Sequence, residues 1–208
     1  QLLGDLIVKS KGNFLWAFYA GRLLLRETSC DGFIAASKKF SSDVSDVLRI
    51  AVEKLDLKHN ETLQHLLSYM LVTETPFAIE EVTELLATDL QKRAMRATTS
   101  NISKFVSEHC SDFVIIRGGR LHFRNSVVQA HFKGLLGKSL LSEKDAHRQL
   151  TLRMLLYARL NLDCEQELLT DELDESVVET ILHKHRLMGY VIRNWVIHFR
   201  HAGCVTSG

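Results

Sequence analysis

The chain has 208 residues and a net charge of +1, and 46% of its residues are hydrophobic. This length suits one large domain or two to three small ones, and the hydrophobic fraction is sufficient for a buried core. A charge so near zero gives no overall field that would draw the chain to nucleic acid or to an anionic membrane.

The cysteines and the apolar runs indicate the compartment. Cys30, Cys110, Cys164 and Cys204 include no Cys-x-x-Cys pair, which predicts reduced thiols in a cytoplasmic protein rather than a disulfide framework. No apolar run approaches the ~20 residues that a membrane span needs, so we expect no membrane association. The sequence begins at Gln1 within a helical pattern, and we therefore expect it to be a fragment of a longer protein.

The first predicted unit, residues 1–58, is helical, as the single proline and the 11 glycines of the whole chain already indicate. The stretch from Asn13 to Leu25 is apolar nearly all round, which predicts a helix buried on every side. A later helix begins at Ser and Asp caps and repeats apolar residues at helical spacing. These residues are Val44, Val47, Leu48, Ala51 and Leu55.

The second predicted unit, residues 59–138, opens with three helices. The first begins after Asn60 and has an amphipathic pattern. The second follows a turn at Pro76 and carries glutamates in its first turn, where the helix dipole favours anions. The third is expected to start at a Ser or Thr cap and to bury three apolar side chains. These are Ile102, Phe105 and Val106.

A β-hairpin follows the three helices. The stretch from Phe113 to Phe132 alternates like a strand, turns at Gly118-Gly119 and alternates again before its period becomes helical. A helix capped by Asn125 or Ser126 completes the unit. Three helices followed by a hairpin is the order of a winged helix, a helix-turn-helix with a wing. The predicted fold class is therefore mainly α, with a winged helix flanked by helical segments.

The third predicted unit, residues 139–208, is helical again. Its first helix starts at Ser142 and runs for about five turns, and a shorter helix follows. The last helix carries one apolar stripe, which predicts the face that packs on the rest of the unit. The stripe consists of Met188, Val191, Trp195, Phe199 and Ala202.

Two patterns resemble chemical sites but lack the required spacing. Gly137-Lys138-Ser139 ends like a phosphate loop, yet Phe132 stands where that loop needs its first glycine, and a helix precedes it instead of a strand. The histidine patterns lack the four ligands or the catalytic triple of a zinc site, which favours exposed or capping histidines. They are His183-x-His185 and His198-x-x-His201-x-x-Cys204. We predict neither a metal site nor enzymatic activity.

Two binding functions stay open as alternatives. A winged helix can bind nucleic acid, and arginines of the hairpin suit phosphates. In the third helix, however, the charge of Lys104 is offset by Glu108, and no Arg, Asn or Gln lies in the middle of the helix to contact bases. The preceding helix carries glutamates, which would repel phosphates. These are Glu80, Glu81 and Glu84. Nucleic-acid binding is therefore not expected. The other alternative is a helical scaffold that binds a protein through the face of Trp195.

Three stretches, in order, resemble the region that follows the ATPase core of NACHT-type STAND signal-transduction NTPases, particularly fungal receptors related to heterokaryon-incompatibility proteins. KSKGNFLWAFYAGRLL, with Phe14, Leu15 and Trp16, resembles the helix that closes the ATPase lid. TPFAIEEVTELL, with Pro76, resembles the start of the family's winged-helix segment. GYVIRNWVIHFRHAG is similar to the signature of the helical segment beyond it, through Tyr190, Trp195 and His198.

The resemblance implies a regulatory function. In that family the winged helix packs on the nucleotide site, holds the closed ADP-bound state and is released by ATP exchange, after which the protein oligomerises. The chain would then be a non-catalytic switch module of a receptor in a fungal defence-like response. Its partners would be its own upstream ATPase domain and, on activation, further copies of itself. ATP and ADP are implied for the parent protein, and no cofactor for this fragment alone.

The resemblance also implies a phosphate-sensing position at the end of the wing. The family has His-x-Ser there, and Ser126 matches its serine. Arg124 stands in place of the histidine, and a shift of one residue would put Asn125 there. An arginine suits this role because its planar guanidinium matches phosphate and stays charged at all physiological pH values.

Overall fold

A computed structural model describes residues 2–96, 101–162 and 175–203. In these ranges the chain forms eleven helices and two small antiparallel sheets, which confirms the mainly helical class. None of the described helices combines the length and apolarity needed to cross a membrane. The helices are α1 (Leu2–Ser10), α2 (Phe14–Leu24), α3 (Cys30–Lys39), α4 (Val44–Glu53), α5 (Glu61–Val72), α6 (Ile79–Ala87), α7 (Ile102–His109), α8 (Ser126–Lys133), α9 (Glu143–Leu162), α10 (Glu175–Lys184) and α11 (Met188–His201). The strands are β1 (Thr88–Asp89), β2 (Ala94–Met95), β3 (Val114–Arg117) and β4 (Arg120–Phe123).

Helix α2 organises the first four helices. The Asn13 side chain accepts a hydrogen bond from the Trp16 amide and so caps the helix. Trp16 and Tyr19 are buried against the core, and α3 and α4 pack on this side of α2. Phe14, however, is 91% exposed. The expectation of a helix buried on every side was therefore wrong, because neighbouring helices cover only one face.

Helix α5 lies at the centre of the structure. Every residue from Leu66 to Leu71 is buried, and so are Leu63 and His65. Helices α6, α8 and α9 all contact it. The predicted amphipathic helix is thus covered on more than one side, since partners distant in sequence pack on the face that was expected to be solvated.

The hairpin forms as predicted. Val114 pairs with Phe123 and Ile116 with Leu121, and Gly118 and Gly119 have φ of 57° and 73°, as a two-residue hairpin turn requires. An isolated antiparallel bridge between Ala78 and Arg120 joins the hairpin to the residues before α6. The connection between α5 and α6 is thereby fixed to β4.

The start of α7 and the β1–β2 sheet differ from expectation. The side chain of Asn101 caps α7 by accepting from the Lys104 amide, so the predicted Ser or Thr cap was wrong. Ile102 and Val106 are buried as expected, and Phe105 is partly buried. The sheet β1–β2 was not predicted, because its turn is closed by the Asp89 carboxylate, which accepts from the amides of the next turn residues, rather than by a glycine pair.

The last helices pack through α9 and α11, which lie along one another. The predicted apolar stripe of α11 is only partly buried, because Trp195 remains 37% exposed and Phe199 is half-buried. His198 is buried instead, at 3% exposure. The carboxylate of Glu84 on α6 joins this unit by accepting from the Tyr157 hydroxyl and from the Leu187 amide.

Asp112 joins the first four helices to the hairpin. Its carboxylate accepts from Arg22 Nε at 2.6 Å and from Arg26 Nη2 at 2.9 Å, and its carbonyl accepts from the Tyr19 hydroxyl at 2.8 Å. Phe113 stacks on the Tyr19 ring beside these bonds. We call these residues the Asp112 junction.

One continuous core runs through the described residues. It contains Trp16 of the first predicted unit, Phe113 of the second and Tyr157 of the third. The boundaries 1–58, 59–138 and 139–208 stay a prediction.

We expect Asp112→Ala to lower the free energy of unfolding by about 1–3 kcal/mol, because charged hydrogen bonds of a buried carboxylate are lost while both arginines stay partly solvated. Urea unfolding measures the change. The control is Arg49→Ala, which breaks the exposed Arg49–Glu53 pair and should cost about 0.5 kcal/mol or less. Equal losses in the two variants would contradict a structural role of the junction.

Candidate functional site

A groove of about 430 Å³ lies where the hairpin meets the end of α5 and the start of α8. We call it the hairpin groove. It brings Pro76 next to three sequence-predicted residues that lie almost fifty positions later, Arg124, Asn125 and Ser126. The other polar residues of its wall are Thr73, Glu74, Arg117, His122 and Gln129, and its apolar residues include Met70, Phe77, Leu121 and Phe123.

Arg124 is held at the edge of this groove by the Asp112 junction. Its Nε donates to the Asp112 carbonyl at 3.1 Å, and its Nη2 donates to the Ser111 carbonyl at 2.7 Å. The guanidinium carbon lies 5.0 Å from the centre of the Phe18 ring, a cation–π distance. These contacts fix the plane of the guanidinium. They leave Nη1 without a hydrogen-bond partner among the described residues.

Asn125 and Ser126 place the start of α8 in the groove. The Asn125 side chain accepts from the Val128 amide at 2.9 Å, which confirms the predicted cap. Ser126 is the first residue of the helix, where the dipole favours negative charge. The wall contains two arginines, Arg117 and Arg124, and one glutamate, Glu74, so it favours an anionic group over a cationic one.

Phe14, Leu15 and Trp16, the motif residues of α2, lie in three different environments. Trp16 donates its indole N–H to the Ser41 carbonyl at 2.8 Å and meets the Phe40 ring edge-on, so it anchors α2 on the start of α4. Leu15 packs against the core at its margin. Phe14 points outward from the described part of the chain. None of the three lines the hairpin groove.

A buried chain of hydrogen bonds leads from the groove into the α9–α11 interface. Thr73 Oγ1 lies 2.8 Å from the Tyr190 hydroxyl, which lies 2.8 Å from His198 Nε2. His198 Nδ1 in turn lies 2.7 Å from His147 Nδ1. Two of the three residues of the predicted α11 signature, Tyr190 and His198, therefore meet, whereas Trp195 lies on the outer surface.

One arrangement of protons satisfies this chain. Thr73 donates its proton to the Thr75 carbonyl at 2.8 Å, so the Tyr190 hydroxyl must donate to Thr73. His198 then donates from Nε2 to Tyr190 and accepts at Nδ1 from His147. Both histidines are neutral in this arrangement. Burial, followed by the nearby histidine charges, lowers the pKa of His198 to about 4, and burial also lowers the pKa of His147.

The histidines correct one expectation. His198 was expected to be exposed or capping, yet it is buried, together with His147 and His65. The 2.7 Å contact between the two Nδ1 atoms is a hydrogen-bond distance, and residues 2–96, 101–162 and 175–203 contain no group of three or more side chains placed to hold a metal. Cys204 lies outside the described residues.

Comparison of the chain with protein-family models, curated proteins and solved structures finds no match. The functional assignment therefore depends on the geometry above and on the resemblance of the three stretches.

Sequence reasoning missed the residues that connect the site. Asp112 and Thr73 lie in no motif, and His147 is separated from His198 by fifty-one positions. A polar residue inside the apolar pattern of α9, at His147, was the only local signal. Its partner could not be deduced from spacing.

The buried histidines make stability depend on pH. Below the pKa of a free histidine the unfolded chain binds protons that native His198 does not bind. The free energy of unfolding should therefore fall as the pH falls from about 6.5 towards about 4, by at most ~1.4 kcal/mol per pH unit for this group. His198→Gln should flatten the profile that urea unfolding gives over this range.

Leu150→Ala is the control, since Leu150 is fully buried on α9 and carries no titrating proton, so the variant should lower the free energy of unfolding but leave its pH slope unchanged. A residual slope is expected in His198→Gln, because burial also lowers the pKa of His65 to about 4. An unchanged profile in His198→Gln would contradict the neutral arrangement.

Proposed function

We propose that the chain is a non-catalytic regulatory module of a STAND-type NTPase, which docks on the nucleotide-binding domain and controls oligomerisation. The nucleotide would be held by the ATPase domain of the parent protein. The chain's own role would be to stabilise one of two packing states through contacts that differ between them.

The observation that carries this proposal is an apolar surface on α1 and at the start of α2. Leu3, Ile7 and Val8 are 71%, 63% and 75% exposed, and Phe14 is 91% exposed. Grouped apolar side chains of this kind mark contact surfaces, because a self-contained domain would leave them in water at a cost. Phe14 belongs to the stretch that resembles the lid-closing helix, and Leu3, Ile7 and Val8 lie directly before that stretch, so their open side suits an adjoining ATPase domain.

The hairpin unit supports a winged-helix interpretation. Helices α5, α6 and α7 precede the hairpin in the predicted order. The bridge between Ala78 and Arg120 attaches the hairpin to the connection between the first two of these helices. This attachment makes the hairpin an integral part of the three-helix unit, as a wing is. The β1–β2 sheet is an addition to that plan.

The hairpin groove supports a phosphate-sensing role for Arg124. Its guanidinium is oriented by two carbonyls and keeps one nitrogen for a further contact, beside the start of α8. Arginine forms strong hydrogen bonds with phosphate oxygens in this planar arrangement.

The surface of α7 does not favour the nucleic-acid alternative. Lys104 lies 3.8 Å from Glu108 on the same exposed side, so its charge is locally offset. On the hairpin, the Arg120 guanidinium donates to the Pro76 carbonyl. A basic surface for phosphates is thus not formed by these residues. An affinity for duplex DNA that falls steeply with added salt would overturn this assignment.

The first experiment is to read the coding sequence before Gln1. A Gly-x-x-x-x-Gly-Lys-Ser/Thr motif after a predicted strand, roughly 200 to 300 residues earlier, would support the proposal. An initiator Met close to Gln1 would overturn it, since no ATPase domain would then precede the module.

In the protein that includes the ATPase domain, Phe14→Ser should weaken docking. Burial of a phenylalanine contributes about 1.5–3 kcal/mol, which corresponds to roughly 10- to 100-fold in the docking equilibrium. We expect less ADP retained by the purified protein and earlier oligomerisation with ATP, measured by nucleotide release and light scattering. Ile192→Ser, an equally polar change on α11, should leave both measurements unchanged.

Arg124→Gln should reduce ADP retention without opening the docking surface. A charged hydrogen bond to phosphate contributes about 1.5–3 kcal/mol, so we expect ADP affinity to fall at least tenfold. Lys104→Gln on α7 is the control. Thermal unfolding of each variant separates a lost phosphate contact from a lost fold, and wild-type retention in a folded Arg124→Gln protein would contradict phosphate sensing.

A further inference from the structure

Helix α11 also carries exposed apolar residues, on the side next to its buried face. Ile192 is 61% exposed, Trp195 and Val196 are 37% exposed, and Phe199 is half-buried. These four residues occupy positions i, i+3, i+4 and i+7, so they form one continuous stripe along the helix. The rings of Trp195 and Phe199 lie 6.3 Å apart within it. We call these residues the α11 stripe.

The α11 stripe does not belong to the protein's own core. The inner side of the same helix is already fixed by Tyr190, Val191 and His198, which are buried against the described core. The exposed apolar residues lie roughly 100° round the helix from Val191 and His198, so α11 can pack on the core and on a second partner at once. The stripe spans about 10 Å along the axis, the length of two turns, which matches the seam of a second helix.

The charges beside the stripe indicate the chemistry of that helix. Arg193 and Arg200 are seven residues apart, so they lie along the same edge of the stripe. Neither makes a salt bridge with any residue that the structure describes. Arg193 and Arg200 therefore give one edge of the stripe two positive charges.

A second copy of the chain does not fit this surface well. Two copies meeting through the same α11 face would form a two-fold interface, in which each stripe packs on the other. When the two α11 helices run antiparallel, Arg193 and Arg200 of one copy lie beside the same arginines of the other. Like charges facing each other across an interface disfavour association.

We infer that the α11 stripe binds an acidic amphipathic helix of a partner protein. The partner helix would present apolar residues at i, i+3, i+4 and i+7 to Ile192, Trp195 and Val196. Its acidic residues would lie on the edge that meets Arg193 and Arg200. Helix-on-helix docking of this kind takes its affinity from the apolar stripe and its orientation from the flanking charges.

The test uses two synthetic helical peptides of about 18 residues, a length sufficient for several turns. Both carry leucine at i, i+3, i+4 and i+7; one has glutamate at the flanking positions and the other has lysine. The whole chain is titrated with each peptide while tryptophan emission is recorded. Trp16 is 2% exposed, so a blue shift reports burial of Trp195. We expect the glutamate peptide to bind at least tenfold more tightly and to weaken with added salt.

Two sets of variants make the result specific. Ile192→Ser should reduce binding of the glutamate peptide at least tenfold. The control Leu25→Ser, at the end of α2 and 80% exposed, should leave binding unchanged. The double variant Arg193→Glu with Arg200→Glu should reverse the preference, so that the lysine peptide binds more tightly.

Three outcomes would overturn the inference. Equal binding of both peptides would show that the charges do not select the partner. A concentration-dependent dimer that Ile192→Ser abolishes would assign the stripe to a second copy. Binding to anionic phosphatidylserine vesicles that Ile192→Ser abolishes, without binding of the glutamate peptide, would assign it to a lipid surface.

Discussion

The structure depends most on the hydrogen bonds that the carbonyls and the carboxylate of the turn at Ser111 and Asp112 accept. A buried turn between a helix and a strand leaves carbonyls that need donors. Here the Asp112 carbonyl accepts from Tyr19 and Arg124, and the carboxylate accepts from two arginines of the α2 region. Without these donors the turn would carry unpaired polar groups, and the first four helices would have no polar attachment to the hairpin at this position.

A second set of polar contacts fixes the last helices in a similar way. Glu84 accepts from Tyr157 and from the Leu187 amide, and Thr73 reaches His198 through the Tyr190 hydroxyl. The apolar packing of α9 on α11 supplies attraction but little direction, because α11 is apolar over a wide arc. The directional hydrogen bonds select one rotation of α11.

This distinction explains what the sequence could predict. The glycine turn of the hairpin and the Asn125 cap were predictable, because both follow from local backbone chemistry. The burial of α5 on several sides was not, since it depends on α8 and α9, which lie far along the chain. The prediction that Trp195 lies on the buried face of α11 was wrong. This helix is apolar over a wide arc, so the sequence pattern alone does not determine which side of the helix faces the core. At the candidate site, a sequence motif identified Arg124 and Asn125, whereas only the structure identified the residues that contact them.

The Asp112 junction and the hydrogen-bond chain from Thr73 to His198 reach the hairpin groove from different elements. Arg124 donates to the Asp112 carbonyl, which connects the groove through the Asp112 junction to α2, the helix that carries exposed Phe14. Thr73 begins the chain of hydrogen bonds that fixes α11. A group seated in the groove would therefore contact side chains connected to α2 and to α11 at once. Such a group can change the balance between two packing states only through the contacts it makes differently in each. A change in the contacts of such a group would be transmitted through Arg124 towards α2 and through Thr73 towards α11.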